Sequence, residues 1–243
     1  DRLDPADMPI GARERGTALH DALHEAFKGW KDVLPEDAET QLVEVSQRYL
    51  VKAGFAPEEL VVELPRFARA ARWLVAWERA RRAEGITIAE LEIKGELTLD
   101  MPGGDWVLNG RSDRFDRHGD GRLDVIDYKT GQAATPKVVA AGFDPQLPLT
   151  AAMAREPGVF EGLNGEAAGL YYIRLPGNAE GGEEAQIHLM PRKKPVTPPA
   201  DEMAANALKD LREWIDRFDR ETEPYLSQPR AQYTNDYGDY DHL

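Results

Sequence analysis

Residues 109–116, Asn-Gly-Arg-Ser-Asp-Arg-Phe-Asp, and residues 124–131, Asp-Val-Ile-Asp-Tyr-Lys-Thr-Gly, decide how this chain is read. Between them lies a polar stretch with two glycines, Arg117 to Arg122, which reads as the turn of a hairpin. Side chains alternate faces along a strand, so Asp127 and Lys129 point one way and Tyr128 the other. A five-residue loop from His118 to Arg122 would pair Arg117 with Leu123 and bring Asp113 opposite Asp127. Directly opposed residues have Cβ atoms about 4.5–5.5 Å apart, and two carboxylates that close repel unless a cation lies between them. Mg²⁺ suits that place, being hard, oxygen-seeking and content with one or two carboxylates. Lys129 beside it would orient or deprotonate a water, or neutralise charge on a phosphate. The alternative is a solvated polar hairpin. Against it stands the apolar pair Val125-Ile126, which runs the strand into a core before it presents acid, aromatic and base.

Working outward, helices precede this hairpin. Leu19, Leu23, Phe27 and Trp30 recur at spacings of three and four, which predicts a helix from about Arg13 to Trp30. A second runs from Glu36 to Ala53, between Pro35 and Gly54. A third runs from Pro57 to Glu84, with Pro65 expected to kink or split it. Six arginines between Arg66 and Arg82 belong either to a DNA-facing surface or to a solvated helix face. Strands follow over residues 86–99 and 106–116, then the strand 123–129. A polar loop leads to a helix over 145–155, a strand over 167–175 and a further strand over 185–190. A proline-rich loop with Arg192, Lys193 and Lys194 precedes a last helix over 200–220 and an irregular tail. This order predicts an α/β fold, a mixed sheet flanked by helices with an N-terminal helical layer. We read residues 1–243 as one unit: 1–85 the helical layer, 86–190 the sheet core with the site, and 191–243 a loop, helix and tail. The first residue is Asp1 and not Met, so the chain reads as a fragment of a longer polypeptide.

Composition sets bounds. Zero cysteines exclude disulfides, thiolate zinc sites and iron–sulfur clusters. With no run of 18 apolar residues and no charged-then-apolar leader, neither a membrane span nor a secretory signal is expected, and the lack of cysteine makes a cytoplasmic home the easiest reading. The net charge of −14 opposes nucleic-acid binding in bulk, so any grip on DNA must be local or shared with other domains. No phosphate loop of the Walker type and no Gly-x-Ser-x-Gly elbow is present.

Two other side chains enter as candidates. His20 lies on the first helix and could complete a metal site, although a helical histidine is more often simply packed; His24 follows one turn later. Gln146, at the start of the helix over 145–155, could bond to a phosphate or to the lysine.

Taken together, Gly16-x-x-x-His20, Gly110-x-x-Asp113-Arg-x-Asp116, Asp127-Tyr-Lys129-Thr-Gly131 and Gln146 resemble the C-terminal nuclease domain of the AddB subunit of bacterial AddAB helicase–nucleases. That domain is a RecB-like member of the PD-(D/E)xK superfamily. The resemblance implies that His20, Asp113, Asp127 and the Tyr128 backbone carbonyl hold Mg²⁺, with Mn²⁺ as a substitute, and that Lys129 is the catalytic lysine. Gln146 would match the first member of a Gln-x-x-x-Tyr motif, whose second position here is Thr150. Many relatives of this kind carry a four-cysteine cluster that this chain cannot build. The implied function is metal-dependent exonucleolytic processing of double-strand break ends, degrading the strand that ends 5′, with DNA and an AddA-type helicase–nuclease subunit as partners. Two alternatives stay open: a catalytically retired fold serving as a DNA-end clamp or docking module, and a stand-alone exonuclease of the Cas4 or phage type.

Overall fold

A computed structural model describes residues 11–187, 198–220 and 222–224. Three helices come first: α1 Ala12–Gly29, α2 Ala38–Lys52 and α3 Pro57–Ala83. They are followed by β1 Thr87–Leu99, β2 Trp106–Arg117, β3 Leu123–Lys129, α4 Pro136–Ala140, α5 Gln146–Arg155, β4 Ala167–Arg174, β5 Glu183–Gln186 and α6 Ala200–Phe218. The sheet order is β1-β2-β3-β4-β5. Only β3 and β4 run parallel, so the sheet is mixed as expected.

Helices cover both faces of this sheet. Ile126 and Tyr128 of β3 join α1–α3 in one apolar cluster, with Leu23, Phe27, Leu74 and Ile173. Phe115 and Val125 join α5 and α6 in the other, with Leu147, Met153, Tyr172 and Met203. The period-two alternation of β3 thus feeds two cores, which is why the strand is buried on both sides up to Tyr128, with Asp124 as a buried carboxylate paired to Arg81. Helix α5 sits close on the sheet because β1 and β2 pair Gly95 with Gly110 beneath it. A Cβ on Gly110 would lie 2.8 Å from the Met153 sulfur, and one on Gly95 would lie 2.5 Å from the Phe160 ring. The glycine that opens the Gly110-x-x-Asp113 motif is therefore set by packing.

Three expectations are corrected. Of the two outcomes expected at Pro65, the split does not occur, since α3 is one helix through it. Pro65 and Val61 are both exposed, so the carbonyl that a proline leaves without its amide partner lies on the wet side. The loop after Gly131 contains the short helix α4, started by Pro136 and capped by the Thr135 hydroxyl, which accepts from the Val138 amide. Strand β5 begins at Glu183, ahead of the expected Ala185, and pairs with β4 through Arg174↔Glu183. The basic loop Arg192 to Lys194 and most of the tail lie outside the described residues.

The arginine-rich stretch of α3 is engaged by protein. Arg66 and Arg69 donate to the carbonyls of Pro176, Gly177 and Asn178. Arg72 and Arg79 approach Glu39, Arg82 bonds Glu78 and the Trp30 carbonyl, and Arg81 enters a buried network. The helix thus holds the helical layer to the sheet, a part that neither the DNA-facing nor the solvated reading anticipates.

Candidate active site

The hairpin register is the one the loop length predicts: Arg117 pairs with Leu123, and the ladder continues to Arg114↔Ile126. One further step along that register sets Asp113 opposite Asp127. Phe115 and Val125 lie in the α5-side core, so alternation puts Asp113, Asp127 and Lys129 on that same face, at the end of the ladder. Tyr128 points the other way. Its ring is buried, stacked near Phe27, and its hydroxyl meets Arg114.

Around this edge the candidate side chains converge. His20 Nδ1 lies 3.4 Å from Asp113 Oδ2, the oxygen that also accepts the Tyr128 backbone amide at 2.9 Å. Lys129 Nζ lies 2.8 Å from Asp127 Oδ2. That oxygen is buried, with the ammonium beside it as its ionic partner. Gln146 donates to Asp127 Oδ1 at 2.7 Å and offers its own oxygen to Lys129 at 3.5 Å, bridging acid and base. Thr150, one turn further on α5, is buried and faces the core. His24 has a buried Nδ1 without a hydrogen-bond partner and stands apart from these contacts.

Two residues join the site that the sequence reading passed over. Glu92 on β1 groups with His20 and Asp113, the three offering ligand atoms within 4.8 Å of one another. Its φ of 52° is the sole positive value at a non-glycine among the described residues, in the middle of a strand. A backbone conformation that unfavourable persists only where the surroundings impose it. The missed signal was its register: continuing Leu91↔Arg114 by one step puts Glu92 opposite Asp113. The second is Tyr172, paired with Asp127 across the parallel β3–β4 ladder. Its ring lies 5.4 Å from the Lys129 ammonium, and its hydroxyl donates to Asp144, two residues before Gln146. Tyr172 thus underlies the lysine and ties down the start of α5.

Electrostatics follow from the crowding. Burial, then the charge of Asp113, pushes the Asp127 carboxyl from its ordinary 3.8 up to about 6, against the pull of Lys129 and His20. Burial and Asp113 also raise Glu92, partly offset by Arg111, whose Nε lies 2.5 Å from it. For His20, burial works to lower the imidazole, but the hydrogen bond and charge of Asp113, with Asp127 and Glu92, outweigh it and raise it. A carboxyl whose folded pKa is raised contributes stability that is full below its unfolded value and lost as pH rises through about 6. The metal-free fold is therefore opposed by this carboxylate at neutral pH. A divalent cation would reverse that, and His20 and Asp127 must both be deprotonated to receive it. The donors that come together, the imidazole of His20 and the carboxylates of Glu92 and Asp113, fit such an ion; Asp127, whose Oδ2 lies against Lys129, is not among the ligand atoms gathered within 4.8 Å of one another.

The chain is similar, in whole or in part, to several known proteins. A family model described as the PD-(D/E)XK nuclease superfamily matches residues 1–233. An uncharacterized protein of Rickettsia felis is 27% identical over 150 residues, 59% of this chain and 17% of its own length. One of Rickettsia bellii is 37% identical over 67 residues, 28% of this chain and 8% of its own. The chain thus spans less than a fifth of these curated relatives. A solved structure described as "Crystal structure of SSO0001" covers 86% of this chain and 77% of its own at 11% identity, with a TM-score of 0.27. No helix among the described residues is long and apolar enough to cross a membrane. With a mixed five-stranded sheet, an acid pair at the end of a hairpin and a match across nearly the whole chain, the protein belongs to the PD-(D/E)XK nuclease superfamily.

Proposed function

We propose that residues 1–243 form the nuclease unit of a longer, AddB-like subunit, acting as a Mg²⁺-dependent DNA exonuclease in the processing of double-strand break ends beside an AddA-type partner. One observation carries the hydrolytic reading. Asp127, a buried carboxyl with a raised pKa, is packed between a second acid and a lysine, and this crowding opposes the metal-free fold. A retired clamp has no physical need to keep that arrangement.

His20, Asp113, Asp127 and the Tyr128 carbonyl would hold the ion, with Glu92 adjoining them. When bound, the ion supplies Lewis-acid polarisation of a phosphate oxygen and a water of lowered pKa. The chain's own residues do the rest. Lys129 offers an ammonium at the reacting edge, either to orient the water or to neutralise charge developing on the phosphate. Gln146 holds Asp127 and Lys129 in register, so the acid cannot swing away when the lysine engages substrate. Tyr172 keeps the start of α5, and with it Gln146, in place through Asp144.

The test of this function is a comparison of DNA forms. With Mg²⁺, linear single-stranded DNA should be shortened progressively from an end, while a covalently closed single-stranded circle of equal length stays intact. Cutting of the circle at the same rate would make the activity endonucleolytic; no cutting of either, with Mg²⁺ or Mn²⁺, would favour the clamp.

A further inference from the structure

Past the end of β3 the surface opens into a cleft whose walls are α1, α3 and the segments following β3 and β4. Arg15, Glu63, Arg66, Thr130, Leu175 and Pro176 line it. It lies directly beside the candidate active site. Thr130 follows Lys129 in the chain, and α1 carries Gly16 four residues, about 6 Å along the axis, before His20. A Cβ on Gly16 would sit 3.6 Å from the Thr130 hydroxyl, so helix and strand end are in contact there.

The charge of this cleft is unlike that of the protein as a whole. Its charged lining is two arginines and one carboxylate, which sums to +1 on a chain of net −14. The carboxylate is the buried Glu63, and both guanidiniums lean on the same oxygen: Arg15 Nη2 at 2.8 Å and Arg66 Nη1 at 3.4 Å from Oε1. Arg15 Nε and Glu63 Oε2 are both buried and lack a hydrogen-bond partner, so this ion pair leaves one donor and one acceptor unmet. The Arg15 side chain keeps 27% of its surface exposed, and a guanidinium exposed in a cleft with an excess of positive charge is suited to a phosphate oxygen. Glu63 then has a definite part: it holds the two arginines in the wall and caps their charge at one unit, enough for a single phosphodiester.

Resting on the nuclease reading above, we infer that the cleft formed by Arg15, Arg66 and Thr130 binds a DNA-strand phosphate next to the one being cut, with Arg15 as its principal contact and Glu63 as a counter-charge that weakens the grip. This arrangement would fix the strand's register over Lys129. It would also give an acidic protein a local point of purchase on DNA.

The inference makes Arg15→Gln and Glu63→Gln move binding in opposite directions. The probe is a dye-labelled single-stranded oligonucleotide in EDTA, read by fluorescence anisotropy at several salt concentrations. Hydrolysis plays no part under these conditions, so the result stands whether or not the chain proves to be a nuclease. Arg15→Gln should weaken binding about tenfold and flatten the dependence of log affinity on log salt by about 0.7, the share of one single-strand phosphate. Glu63→Gln should tighten binding several-fold. A purely structural ion pair predicts instead that both variants lower the melting temperature and leave affinity and salt slope alone, or weaken binding alike; either pattern overturns the inference. Should Arg15→Gln fail to fold, Glu63→Gln decides alone, since only a counter-charge yields tighter binding when removed. Oligonucleotides with a 5′-phosphate, a 5′-hydroxyl or a 3′-phosphate identify the source. An equal Arg15→Gln loss on all three assigns an internal phosphodiester, and a loss confined to one assigns that terminal phosphate.

Discussion

Replacing Lys129 with alanine, or Asp127 with asparagine, is expected to lower Mg²⁺-dependent hydrolysis of linear DNA by at least about 10²–10³-fold, the scale on which single charge-stabilising groups act. The two variants part company in stability. Lys129 is a third exposed at the rim, so its loss should change the melting temperature little. Asp127 is buried and opposes the metal-free fold at neutral pH, so Asp127→Asn should melt at or above the parent temperature at pH 7.5 without added metal. Inactivity with a retained or raised melting temperature marks a residue held for chemistry at the expense of stability. Parental cleavage by either variant would remove that residue from the mechanism, and Asp127→Asn melting well below the parent would make the carboxylate a structural group.

The opposite signature is expected one residue along from Asp113. Arg114→Met should destabilise the fold by roughly 3–5 kcal/mol, the cost of breaking a buried ion pair from one side. At this chain length that corresponds to a fall in melting temperature of about 10 °C. Arg114 is 1% exposed. Its Nε bonds Asp116 Oδ1 at 2.6 Å, and its Nη2 reaches both Glu78 Oε2 at 2.7 Å and Asp116 Oδ2 at 2.9 Å. Its guanidinium carbon lies 4.7 Å from the Phe27 ring centre. Arg81 completes the network by bonding Asp116 and Asp124. Take Arg114 away and Glu78 and Asp116 remain buried, each with one partner fewer. The Asp-Arg-x-Asp run is therefore two devices in one strand: Asp113 faces the site, while Arg114 and Asp116 face α3 and clamp the helical layer to the sheet. Unfolding by denaturant measures the effect, and a midpoint within error of the parent would show that the network adds nothing to stability.

That division explains how far the sequence could be read. The hairpin was legible because its information is local: a glycine-bearing polar loop of fixed length sets Arg117 against Leu123, and alternation then aligns Asp113 with Asp127 and Lys129. The helices of the N-terminal layer were legible from their apolar periodicity. What escaped depends on partners distant in the chain. Glu92 looks like any exposed strand acid until β1 is registered on β2. Tyr172 reaches the site only through a parallel crossover whose register no local pattern sets. The arginines of α3 read as either a DNA-facing or a solvated surface because partners such as the carbonyls at 176–178, which Arg66 and Arg69 reach, lie more than a hundred residues away. Pro65 can stay inside one helix because the cost of a proline there depends on whether the freed carbonyl meets solvent, which burial decides.

The central claim is that two neighbouring strands and α1 shape one site for a divalent ion. Anomalous diffraction from crystals soaked in Mn²⁺ tests it most directly. At pH 7.5 the account predicts a peak bounded by His20, Asp113 and Asp127, and at pH 5, where Asp127 and His20 hold their protons, loss of that peak. A dominant peak elsewhere, none at pH 7.5, or one of equal strength at both pH values would contradict it.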